Sequence, residues 1–156
     1  GVGLAGLTIA SGQLQLGGVI LLLTLPFDAI DGAVARAKGE HRPFGALLDS
    51  VCDRYADGFI FIAFSYYFAV QERPALLALA LAALLGSLLV SYVRARADGV
   101  GVVASIGWFT RFERTVVIVV MTLLPMLLEI GLIVLAIGTH LTALQRLWFV
   151  KKSLEQ

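Results

Sequence analysis

The chain has 156 residues, 59% of them hydrophobic and only 15% charged, with a mean hydropathy of +0.91 and a formal net charge of +1. That balance excludes an ordinary soluble globular domain and marks an integral membrane protein. One cysteine, Cys52, and two histidines exclude an intramolecular disulfide and a zinc-type Cys/His cluster.

Apolar stretches near the length needed to cross a ~30 Å hydrocarbon core recur along the chain, and alternating β patterns are absent. Helices must therefore satisfy the backbone within the bilayer. Residues 1–11 lack a charged leader and read as the end of a spanning helix whose start precedes Gly1. Further spans are expected at 15–37, 45–70, 74–97, 106–125 and 127–150. They are divided by the polar loop "AKGEHRPF", by "QERP", by "ADGVGVVA" and by the Pro125 region, with Glu129 in a short turn outside the membrane. The expected fold is all-α, a polytopic six-helix transmembrane bundle forming a single domain over 1–156. Cys52 reads as a small helix-packing residue.

Of the 12 lysines and arginines, Arg36, Lys38, Arg42, Arg94, Arg96, Arg111, Arg114, Arg146, Lys151 and Lys152 fall at helix ends that this threading places on one side. By the positive-inside rule that side faces the cytoplasm, as do both termini. The expected location is the cell membrane, with a water-soluble ligand arriving from the cytoplasm. No nucleic acid partner is expected.

Against this background stand five aspartates between Phe27 and Asp57. Asp28 and Asp31, three apart, project from one face of the second helix together with Gly32, Ala35 and Arg36. Asp49, Asp53 and Asp57, four apart, stack with Gly45 on one face of the third. Folding the second helix back on the third brings both acidic faces to one end of the bundle. Carboxylates so close in a low dielectric need cations to neutralise them. All-oxygen ligands suit Mg²⁺, Mn²⁺ or Ca²⁺, and four carboxylates hold two ions about 3.5–4 Å apart, an arrangement used on phosphates. The competing reading pairs the aspartates with Arg36, Arg54 and other arginines as a purely structural network. Gly32 and Gly45 fit either close helix packing or the approach of a ligand to the helix backbone.

The residues "DAIDGAVARAKGEHRPFGALLDSVCD" resemble the signature of the CDP-alcohol phosphotransferase family, D-x2-D-G-x2-A-R-x8-G-x3-D-x3-D. Asp28, Asp31, Gly32, Ala35, Arg36, Gly45, Asp49 and Asp53 fill its fixed positions. The resemblance implies transfer of a phosphatidyl group from a CDP-diacylglycerol-type lipid donor to an alcohol, with release of CMP. It also implies two Mg²⁺ ions, or Mn²⁺, at Asp28, Asp31, Asp49 and Asp53, with Asp53 also the catalytic base. Asp31, Gly32, Ala35, Arg36, Gly45 and the loop residue Arg42 would contact the CDP-lipid; Arg42 departs from the small hydroxyl residue expected there. A membrane homodimer is likewise the family's implication.

The acceptor is read from the remaining arginines. Arg94, Arg111, Arg114 and Arg146 fall on the acidic site's side, either as anchors reaching lipid headgroups or as a pocket for a phosphate. Their segments, with "DSVCDR", resemble the bacterial phosphatidylinositol-phosphate synthases and related archaeal lipid enzymes, which implies inositol phosphate as acceptor, its phosphate held by these arginines. Phosphatidylglycerophosphate synthases, using glycerol phosphate, are the alternative within the family. Outside it, the alternative is a cation transporter or ion-binding bundle, which would need an acidic pathway open to both faces.

Overall fold

The computed structural model describes residues 1–24 and 43–155. Among them the chain forms α1 (Val2–Ala10), α2 (from Leu14 through Thr24), α3 (Pro43–Val70), α4 (Pro74–Asp98), α5 (Arg111–Leu123) and α6 (Leu128–Leu154), with a 3₁₀ turn at Pro125–Leu127. Asp28, Asp31, Gly32, Ala35, Arg36 and Arg42 lie outside the described residues.

Two local devices set the helix connections. After α1 the Gly12 N–H returns to the Ile9 carbonyl and the Gln13 N–H to the Thr8 carbonyl, a Schellman closure that places Gly12 at φ +86°, which a residue lacking Cβ adopts without strain. After α3 the same pattern recurs, with Arg73 N–H on the Phe68 carbonyl and Glu72 N–H on the Ala69 carbonyl, and Pro74 then opens α4 at its first turn. The "QERP" signal is thus a hairpin between antiparallel helices.

Phe61, Phe64 and Phe68 recur at helical spacing on α3 and are fully buried in one cluster with Ala80 and Ala83 of α4, Leu132 and Leu135 of α6, and Ala5 and Ile9 of α1. The opposite faces are also apolar: Ile62, Tyr66, Leu81, Leu85, Ile133 and Ile137 are exposed. Apolar residues on both the inner and outer surfaces suit a bundle whose solvent is lipid. Pro74–Asp98 and Pro125–Leu154 are each long and apolar enough to cross a membrane, with mean hydropathies of 2.4 and 2.0.

Helices α4 and α6 run parallel, in a register marked at three levels. Arg73 pairs with Glu129 at 2.5 Å at one end, Gly86 lies against Thr139 and His140 in the middle, and Arg146 reaches the Val90 carbonyl at 2.8 Å toward the other. A Cβ added at Gly86 would lie 2.8 Å from the Thr139 Cβ and 2.7 Å from the His140 ring. Gly86→Ala is therefore expected to cost about 1–3 kcal/mol through forced separation of the two helices. Gly58, also helical, has open space where its Cβ would sit, so Gly58→Ala is expected to gain roughly 0.5–1 kcal/mol. Thermal unfolding of both variants in detergent checks the contrast.

Three expectations need correction, the first being Glu129, expected in a short turn but found in the first turn of α6, where it pairs with Arg73. The fifth span was expected from 106, but α5 starts at Arg111, because residues 106–110 are held in a non-helical path by α6. Arg146 Nε donates to the Ile106 carbonyl at 2.7 Å, and the Phe109 N–H donates to Thr142 Oγ1 at 3.0 Å. Gly107 lies so close to α6 that an added Cβ would meet Thr142 Cγ2 at 2.6 Å. Cys52 is exposed rather than packed between helices, since the inward face of α3 is the one carrying Asp53, Asp57 and the phenylalanines. The break at Pro125 does divide two helices as expected.

Candidate active site

The first half of α3 presents Asp49, Asp53 and Asp57 one turn apart into a cavity of about 470 Å³. The other walls come from α4, with Ser91, Arg94 and Asp98, from the segment holding Ser105 and Thr110, from Arg111 and Arg114 of α5, and from Arg146 of α6. Among its described residues the cavity has four aspartates and five arginines, the fifth being Arg54. The carboxylates at 49, 53 and 57 descend one helix, while Arg94, Arg114 and Arg146 each come from a different one.

Asp53 is held between two guanidinium groups, with Oδ1 at 2.8 Å from Arg111 Nη1 and Oδ2 at 3.6 Å from Arg54 Nη1. Arg54 also donates to the Ser50 carbonyl at 2.6 Å, which holds its head along α3. Deeper in, Asp57 Oδ2 accepts from Ser87 Oγ of α4 at 2.5 Å and from Arg114 Nη2 at 3.1 Å. The pairing of aspartates with arginines considered from the sequence thus occurs at 53 and 57, through α5 partners that spacing did not single out.

Arg114 and Arg146 are each only 3% exposed, which excludes for both the reading as headgroup anchors. Arg146 is fixed by two carbonyls on different elements, those of Val90 and Ile106. Arg94 lines the same cavity but is exposed. Guanidinium groups lining one cavity, two of them deeply buried, are stable together when an anion lies among them. A phosphate with its planar, bidentate acceptor edges suits that need.

Among the described residues no three carboxylate, histidine or cysteine side chains converge tightly enough to hold a metal ion. Asp49 and Asp53 supply only oxygen donors from one helix face, a partial set that fits a hard divalent cation and requires further ligands from elsewhere in the chain.

The family model for CDP-alcohol phosphatidyltransferase matches residues 2–144. The chain belongs to the CDP-alcohol phosphatidyltransferase family. Among its relatives, the phosphatidylinositol phosphate synthase of Corynebacterium glutamicum is 38% identical over 159 aligned positions, covering 97% of this chain and 73% of that protein. The crystal structure of Mycobacterium tuberculosis phosphatidylinositol phosphate synthase with CDP-DAG bound superposes with a TM-score of 0.87 at 31% identity, covering 96% of this chain and 80% of that one. The same enzyme in complex with manganese and citrate gives a TM-score of 0.87 at 32% identity, over 96% and 76% of the two chains. A helical membrane phosphatidyltransferase therefore replaces the transporter alternative.

In this phosphatidyltransferase the sequence reading did not foresee the links from Asp57 to Ser87 and Arg114, or from Asp53 to Arg111. The signal for Asp57 was present, since it continues the four-residue spacing of Asp49 and Asp53. Nothing local named its partners, which stand 30 and 57 residues away.

Proposed function

We propose that the chain is a phosphatidylinositol-phosphate synthase, transferring a phosphatidyl group from a CDP-linked lipid to inositol phosphate. The observation that carries the acceptor is the cavity beside Asp53 into which Arg94, Arg114 and Arg146 converge from three helices. The relatives named as phosphatidylinositol phosphate synthases support the same acceptor. The whole of 1–156 would act as one transmembrane domain. Its acidic end would face the cytoplasm across the cell membrane, as the gathering of lysines and arginines at that end favours.

Asp28, Asp31, Asp49 and Asp53 would hold two Mg²⁺ ions, with Mn²⁺ as substitute. When bound, these ions supply neutralising charge for the donor's pyrophosphate and for the departing CMP. Gly32, Arg36, Ala35, Gly45 and Arg42 would contact the CDP part of the donor. Arg94, Arg114 and Arg146, with Arg111 at the border, would seat the acceptor phosphate and so direct a hydroxyl of the polyol toward Asp53. Asp53 takes the hydroxyl proton as the oxygen bonds to the lipid-bearing phosphorus, and the bond from that phosphorus to CMP breaks. Arg111, 2.8 Å from Asp53, keeps the carboxylate oriented.

Purified protein given CDP-diacylglycerol and, in parallel, inositol phosphate, free inositol, glycerol phosphate or serine should release CMP with inositol phosphate. Release with glycerol phosphate instead would transfer the assignment to phosphatidylglycerophosphate synthesis. Arg94→Ala should raise the acceptor KM about ten- to a hundredfold, the loss of one charge-assisted contact worth roughly 1.5–3 kcal/mol, at nearly constant donor KM. Arg94 is the cleanest of the three because Arg146 also holds backbone carbonyls.

A further inference from the structure

We propose that Asp57 is a positioning residue for the transfer, holding the Arg114 guanidinium in place at the cavity wall while Ser87 holds Asp57. The proposal rests on the reading of Arg114 as a ligand of the acceptor phosphate.

Arg114 is buried within the bundle, where a guanidinium needs both a counter-charge and hydrogen-bond acceptors. Its contact with the Phe109 carbonyl is long, at 3.5 Å, and its Nε is buried without a partner among the described residues. Asp57, at 3.1 Å, makes the ion pair that Arg114 has among the described residues. The same carboxylate oxygen accepts from Ser87, which is fully buried on α4 beside Gly86. The chain Ser87–Asp57–Arg114 thus ties α4, α3 and α5 together across the cavity wall and refers Arg114 to the tight α4–α6 seam.

A guanidinium is a rigid fork, so fixing one nitrogen against a carboxylate fixes the direction of the others. With Nη2 on Asp57, the remaining N–H groups of Arg114 have a defined aim before any ligand arrives, and the entropy of ordering the side chain is not charged against binding. Asp57 lies one turn beyond Asp53 and acts through Arg114, whereas Asp53 faces the reacting hydroxyl.

A double-mutant cycle on the full chain, read as separate KM values for inositol phosphate and CDP-diacylglycerol, tests this. Asp57→Asn should raise the acceptor KM about tenfold at constant donor KM, and in the Arg114→Ala background the same change should have no further effect. Ser87→Ala should shift the acceptor KM in the same direction by about two- to threefold, and this shift too should vanish without Arg114. The Ser87 variant keeps the test decisive if Asp57→Asn does not fold. Effects of Asp57 or Ser87 that multiply with that of Arg114→Ala, or that raise both KM values together, would overturn the proposal in favour of a merely structural link. An Arg114→Ala enzyme with an unchanged acceptor KM would instead defeat the reading of Arg114 itself, a result distinguishable because it needs no change at Asp57.

Discussion

Asp53→Asn is expected to lower kcat by about 10²–10⁴-fold while the CDP-linked lipid still binds. The substitution preserves size and a carbonyl oxygen, so a metal contact and the packing of α3 survive. What would be lost is the basic carboxylate proposed to take the acceptor's proton. Asp53 is also the carboxylate that Arg111 grips at 2.8 Å with Arg54 behind it at 3.6 Å, so its direction is set from two sides. The control is Asp57→Asn, one turn along the same face, which should retain kcat at saturating acceptor. Rates are to be measured as CMP release at saturating concentrations of both substrates, with folding checked by thermal unfolding. If the two asparagine variants are equally inactive and both folded, the base has been assigned to the wrong carboxylate.

Chelation should have an effect of similar size. Treatment with EDTA is expected to abolish CMP release, and added Mg²⁺ or Mn²⁺ to restore it. The reason is electrostatic: Asp49 and Asp53 stand one turn apart on the cavity wall, and the family signature adds Asp28 and Asp31 to the proposed ligand set. Donor pyrophosphate brought to such a group without cations would be repelled. A second readout avoids reliance on turnover. Bound metal should raise the unfolding midpoint, contributing about 2.7 kcal/mol at a hundredfold excess over Kd, and Asp49→Asn should diminish that gain. Full turnover by metal-free protein would refute the assignment.

Much of this architecture is legible in the sequence, because the signals are local. The polar "QERP" marks the α3–α4 hairpin, and Pro125 marks the break before α6. Four-residue spacing puts Asp49, Asp53 and Asp57 on one face without knowledge of the tertiary fold. What escapes is whatever depends on a distant partner. The start of α5 is hidden because "IGWFT" is apolar enough to continue a span, and its diversion depends on Arg146 and Thr142, 40 residues from Ile106 and 33 from Phe109. Cys52 was assigned to packing on its size, but the helix turns by about 100° per residue and leaves it beside the inward face, not on it. The convergence of arginines is visible as a shared end of the bundle, whereas the pairing of Arg114 with Asp57 is a matter of three-dimensional register between α3 and α5.

The shortness of α5 bears on how two substrates of opposite solubility meet. Its 13 residues extend about 20 Å, well short of a ~30 Å hydrocarbon layer, so the helix begins below the level reached by its neighbours. Arg146 sits eight residues before the end of α6 at Leu154 and Asp53 ten residues inside the start of α3 at Pro43, depths of about 12 and 15 Å along the helix axes. The cavity is therefore a well sunk beneath the helix tips. In the proposed reaction a polar acceptor would descend into it through water, and the lipid donor would meet it without drawing its chains out of the oil. The shape of the bundle would thereby bring an anionic polyol phosphate and a membrane-embedded diphosphate to one depth before any bond changes.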